Sequence, residues 1–86
     1  MSDTLLEFPC DFPLKVMGVH SDDFAGTVVA IVRRHAPDFA AESAELRASS
    51  GGNYLAVTCT IRAVSRAQLD HLYRELSAHP QVKVVL

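Results

Sequence analysis

The chain lacks the residues on which most small-protein chemistries depend. It has no tryptophan, and six phenylalanines and tyrosines in 86 residues make aromatics 7% of the whole. It has two cysteines, Cys10 and Cys59, far apart in sequence, which leaves no disulfide framework to build. Its four histidines show no HxH, HExxH or CxxC-type spacing, so no metal site is expected. Nor is there a Walker-type glycine loop between a strand and a helix; Gly51 and Gly52 sit instead between two strand patterns. Basic excess is missing too. A formal charge of −2 argues against a nucleic-acid partner. No run of 18 apolar residues is present, so no membrane span is expected. The acidic start "MSDTLLEF" lacks the basic and apolar regions of a signal peptide, and a cytoplasmic location is the expectation.

What is present is core-forming material. Hydrophobic residues make up 49% of the chain and charged residues 21%, the balance of an ordered globular domain. Residues 1–11 read as a flexible leader in which Pro9 and Pro13 oppose a helix, with Leu5, Leu6 and Phe8 available to pack on the body; residues 12–86 read as one domain.

Within that domain the apolar periods alternate between two and 3.6. Phe12 to His20 has a strand pattern, with Leu14, Val16 and Gly18 on one face and Lys15, Met17 and Val19 on the other. "SDDFAGTVVAIVRRHAPDF" carries a helix. Ser21 or Asp22 is its cap, Phe24, Val28, Ile31, Val32 and His35 are its buried stripe, and Pro37 ends it. "ESAELRAS" is a strand with Ala44, Leu46 and Ala48 inward. "SSGGN" is a hairpin turn in which Gly51 and Gly52 supply positive φ angles. Leu55, Val57, Cys59, Ile61 and Ala63 then alternate with polar residues in the clearest half-buried strand of the chain. Ser65 and Gln68 form a capping box for a second helix striped by Leu69, Leu72, Tyr73 and Leu76, with Glu75 placed to pair with His79. "QVKVVL" closes the chain as a strand with Val82, Val84 and Leu86 inward.

The order strand, helix, strand, strand, helix, strand is that of an α+β, ferredoxin-like βαββαβ sandwich. In it a four-stranded antiparallel sheet carries both helices on one face. The opposite face is left bare and is expected to carry Lys15, Met17, Val19, Glu45, Arg47, Tyr54, Ala56, Thr58, Thr60, Arg62, Lys83 and Val85. RNA-recognition modules use such a face, but they stack bases on aromatic rings, and here Tyr54 stands alone. Cys59 points inward as a buried reduced thiol, and no nucleophile–base arrangement is legible, so no catalytic residue is assigned.

Five segments together resemble a known family: "LLEFPCDFPLKVMG", "IVRRHAP", "SSGGNYLAVTCTIRA", "LYREL" and the terminal "VKVVL". In this order they are similar to the YbeD-like family of small bacterial proteins, over about residues 5–86. That resemblance implies a ferredoxin-like fold akin to the ACT-type regulatory domains of amino-acid metabolism. It also implies a link to lipoate regulation, and it carries no catalytic residues across. The resulting expectation is a non-enzymatic regulatory or binding domain without a cofactor. Its partner is either a small-molecule carboxylate or another protein, a second copy included. The binding residues expected are Lys15 and Arg47 for charge, Ser49, Ser50, Asn53 and Tyr54 for hydrogen bonds, and Met17 beside them.

Overall fold

The computed structural model describes residues 7–86; Leu5 and Leu6, read above as packing residues, lie outside them. Its elements are β1 (Cys10–Val19), α1 (Phe24–His35), β2 (Glu45–Ala48), β3 (Tyr54–Ala63), α2 (Arg66–Ala78) and β4 (Val82–Val85), with a single 3₁₀ turn at Ala41–Ser43. The sheet order is β2-β3-β1-β4, and every pairing is antiparallel. The sequence order and the sandwich are therefore those expected.

β1 starts two residues before the sequence pattern placed it, with Cys10 opposite Ala63. Pro13 lies inside the strand without loss. Lys15 directs its N–H and C=O at Leu86 (3.1 and 2.8 Å), so Pro13, two residues earlier, turns its nitrogen to the same side. There β4 has ended and no ladder bond is forfeited. Phe8, just ahead of the strand, packs against the core.

The core lies between the helices and one sheet face. Leu14 and Val16 of β1 meet Leu55, Val57, Cys59, Ile61 and Ala63 of β3 beneath Phe24, Val28, Ile31 and Val32 of α1 and Leu69, Leu72 and Leu76 of α2, all buried. Burying each large aliphatic side chain of this set contributes about 1.5–3 kcal/mol. Tyr73 sits at the margin, edge-on to Phe12 at 6.5 Å between ring centres.

The two helices are joined at one end by side chains. Ser65 caps α2, its Oγ accepting from the Gln68 N–H (3.1 Å). The Gln68 side chain accepts from the Val64 N–H (2.7 Å) and donates to the His35 carbonyl at the end of α1 (2.7 Å). Glu75 does not pair with His79 as the sequence suggested. It accepts from His35 Nε2 (2.7 Å) and pairs with Arg34, across from α2 to α1. These contacts hold its carboxyl below the usual carboxylate range, the His35 hydrogen bond most of all. The cap of α1 also differs: Asp23 occupies it with no side-chain cap bond, and the Ser21 hydroxyl donates to the Asp23 carboxylate instead (2.8 Å).

Both edge strands depart from the period-two reading, β2 in exposure and β4 in facing. Leu46 faces the helix side yet is 57% exposed, because the helices lie over β3, β1 and β4 and leave the edge strand β2 uncovered. In β4 the parity reverses. Val16 and Met17 pair with Val85 and Val84, but Gly18 pairs with Val82, so a bulge takes up Lys83. Val82 and Val85 consequently pack against the core, while Val84 and Leu86 stand on the open face at 43% and 64% exposure. One inserted residue is enough to exchange the two faces of a strand.

Gly18 sits beside that bulge because nothing larger fits. A Cβ there would lie 2.2 Å from the Gln81 carbonyl oxygen and 2.5 Å from the Phe24 ring. Gly18→Ala is expected to destabilise the fold by about 1–3 kcal/mol through overpacking. Urea unfolding checks this, and an unchanged midpoint would contradict the packing described.

Candidate functional site

The open face is built by the register of three strands. Thr58 of β3 has Glu45 on one side and Lys15 on the other; Ala56 has Arg47 and Met17; Tyr54 has Val19. Side chains two residues apart on one strand share a face, which gathers Lys15, Met17, Arg47 and Tyr54 onto one surface from three separate segments.

The hairpin closes one end of that surface. The Ser49 N–H donates to the Tyr54 carbonyl (2.9 Å), and the Gly52 N–H to the Ser49 carbonyl (2.9 Å). Only Gly52 takes a positive φ, 75°; Gly51, expected to share that role, does not. The Ser49 hydroxyl accepts from the Tyr54 N–H (3.1 Å), which leaves its own proton to donate outward. His20 ties the loop to the end of β1: its N–H donates to the Asn53 carbonyl (2.9 Å) and its Nδ1 to the Gly52 carbonyl (3.2 Å).

Between hairpin and sheet lies an open cavity of about 320 Å³ lined by Lys15, Met17, Arg47, Ala48, Ser49, Ser50, Tyr54 and Ala56. Six of the seven residues singled out in the sequence thus surround one space. The seventh, Asn53, is not in the lining; its backbone carbonyl is engaged by His20. Ala56 and Met17 add an apolar floor. A second depression, of about 460 Å³, continues from it past Glu45 and Thr58 and shares Lys15, Arg47 and Ala56. Among the described residues neither Lys15 nor Arg47 makes an ion pair. The surface therefore offers two cationic heads, hydroxyl donors and a short apolar floor. That combination suits a carboxylate carrying an apolar group.

The chemistry of a nucleophile or metal centre is not assembled on this face. Among the described residues no group of His, Cys, Asp and Glu has the geometry to hold a metal ion. Cys59 is fully buried, and desolvation pushes its thiol up to about 11. No described helix is long and apolar enough to cross a membrane.

An antiparallel β2-β3-β1-β4 sheet with two helices on one face defines a ferredoxin-like α+β domain. The chain belongs to the DUF493 family, described as "Protein of unknown function", whose profile matches residues 3–86. It is 57% identical over 84 residues to a UPF0250 protein of Ralstonia nicotianae, covering 98% of this chain and 87% of that one. With a UPF0250 protein of Paraburkholderia phymatum the identity is 51% over 86 residues, covering 100% and 97%. The fold is shared with the solution structure of protein HP0495 from H. pylori, at TM-score 0.71 and 11% identity over 94% of this chain and 85% of that one. It is shared also with the ACT domain of the GTP pyrophosphokinase of Chlorobium tepidum, at TM-score 0.59 and 13% identity over 90% and 97%.

The contrast between the two thiols is testable. In the folded protein at about pH 8, Cys59 is expected to resist a thiol reagent and Cys10, which is partly exposed, to react, because only the thiolate attacks. Mass analysis of the labelled protein reads this out. Rapid labelling of Cys59 without unfolding would contradict its burial.

Proposed function

We propose that the protein is a non-enzymatic, ACT-like binding domain acting in the cytoplasm and linked to small-molecule metabolism. Its site is the cavity between the hairpin and the open sheet. Arg47 and Lys15 receive the carboxylate of the ligand, with charge-assisted hydrogen bonds from the guanidinium fork. The Ser49 and Ser50 hydroxyls add donors, Tyr54 bounds the cavity, and Met17 and Ala56 receive the apolar part. Lipoate and octanoate have this chemistry, a single carboxylate on a flexible apolar chain, and they are the first ligands to test. A regulatory role, exercised by binding, is supported by the likeness in fold to an ACT domain. What supports the reading most is the convergence on one cavity of two exposed cations that make no ion pair among the described residues and of an apolar floor.

Binding to the folded state alone raises stability, by about 2.7 kcal/mol when ligand exceeds its dissociation constant a hundredfold. For a domain of this size that is a rise of several degrees or more in melting temperature. Millimolar lipoate or octanoate is expected to produce such a rise, and Arg47→Ala to abolish it while leaving the ligand-free melting temperature almost unchanged. A panel of lipoate, octanoate and amino acids that leaves the wild-type transition unmoved would contradict the proposal.

A further inference from the structure

The bulge at Met17 and Gly18 leaves the middle of the open face organised as two parallel rows. One row reads Glu45, Thr58, Lys15, Leu86 across β2, β3, β1 and the end of β4; the next reads Arg47, Ala56, Met17, Val84. At the β2 end the two rows carry opposite charges. At the β4 end both are apolar, and Val84 and Leu86 are exposed. Val19 and Tyr54, 45% and 48% exposed, extend the apolar surface one row further.

We propose that this face is an interface with a second copy of the chain, packed sheet to sheet about a twofold axis running across the strands between the two rows. Such an axis lays each row over the other row of the partner. Glu45 then faces the partner's Arg47, and Arg47 faces the partner's Glu45, so two ion pairs form from one pair of positions. Leu86 meets the partner's Val84, and Val84 the partner's Leu86. Thr58 lies over the partner's Ala56. Lys15 lays its stem on the partner's Met17 and carries its ammonium out past the end of β4, as long cationic side chains do at apolar surfaces. One row outward, Val19 and Tyr54 come over the partner's Pro13 and Thr60.

A second copy fits where other partners do not. An anionic surface would meet Glu45 and a cationic one would meet Lys15 and Arg47, whereas the twofold operation satisfies Glu45 and Arg47 together. Isologous contacts of this kind need a self-complementary patch. Aligned sheets pack about 10 Å apart and cross at about −30°, so the central rows make the closest contacts. β2 and β4 are four residues each, which limits the contact area. The interface belongs at the lower end of the specific range, on the order of 1,200 Å² in total, and the dimer is a weak one that dissociates on dilution. The inference goes beyond the ligand reading and does not need it. Where both hold, a carboxylate seated on Arg47 competes with the partner's Glu45.

Sedimentation velocity of the full ligand-free chain at low salt, from about 5 to about 500 μM, tests it. The sedimentation coefficient is expected to rise with concentration from that of a 9.4 kDa monomer toward that of a dimer. Glu45→Arg and Arg47→Glu, both at exposed positions of β2, are each expected to weaken association about tenfold or more, because each places like charges opposite one another twice. The doubly exchanged Glu45→Arg/Arg47→Glu chain is expected to recover wild-type association. Circular dichroism and melting temperature report whether each variant is folded, and Val84→Asp supplies a third disruption away from the charges. A wild type that stays monomeric throughout would overturn the proposal. So would single reversals that associate as well as wild type, or an exchanged chain no better than the single variants.

Discussion

The structure depends on the closeness of β1 to the Gln81 carbonyl and the Phe24 ring at Gly18. No side chain fits in that contact. It sets where α1 leaves the sheet, and it lies where the β1–β4 ladder slips by one residue. Upstream of the slip, β4 presents Val85 to the core and Val84 to solvent; beyond it, Val82 turns inward. A regular ladder would keep Lys83 and Val85 together on the open side. The bulge thus changes the chemical character of that surface as well as the shape of one strand.

From this follows a division of labour between the two faces. On the helix side the core is apolar, and no buried polar or charged residue appears among the described residues. Polar side chains connect its margins: Gln68 bridges α2 to the last carbonyl of α1, Glu75 engages His35 and Arg34, and Gln81 donates to the Ser21 hydroxyl (3.1 Å). On the open side stand Lys15, Arg47, Glu45 and the exposed Val19, Val84 and Leu86. None of these is needed to close the core, so they are available for recognition. The hairpin, fastened to β1 through His20, fixes one end of that surface without covering it.

Much of this was legible in the residues. Leu55 to Ala63 alternates without a break, and every inward member is buried. The aliphatic and phenylalanine positions of both helix stripes are buried where 3.6-residue spacing puts them, while His35 and Tyr73, read as part of those stripes, lie half-buried at the margin. The cavity residues were legible because strand alternation fixes a face and the hairpin fixes which end. Local pattern failed where the outcome depends on a neighbour in space. Leu46 has an inward position on a strand that no helix reaches. Uninterrupted alternation puts Val84 and Leu86 inward, and one residue in the bulge reverses them. Glu75 has a plausible partner four residues on, but a histidine and an arginine some forty residues earlier lie closer in the fold. Gly18 was the sole sequence sign of the bulge, and a glycine in a strand specifies neither its presence nor its direction.

The make-up of the open face turns on β4 showing it Val84 and not Val85. Single-cysteine variants Val84→Cys and Val85→Cys, made in a background with Cys10 and Cys59 replaced by serine and alanine respectively, test it through their rates of thiol labelling in the folded state. Labelling is expected to be rapid at position 84, which is 43% exposed, and markedly slower at position 85, which packs half-buried against the core. Slower labelling at 84 than at 85 would mean regular alternation, with Lys83 and Val85 on the open face in place of Val84 and Leu86, the reverse of the arrangement described.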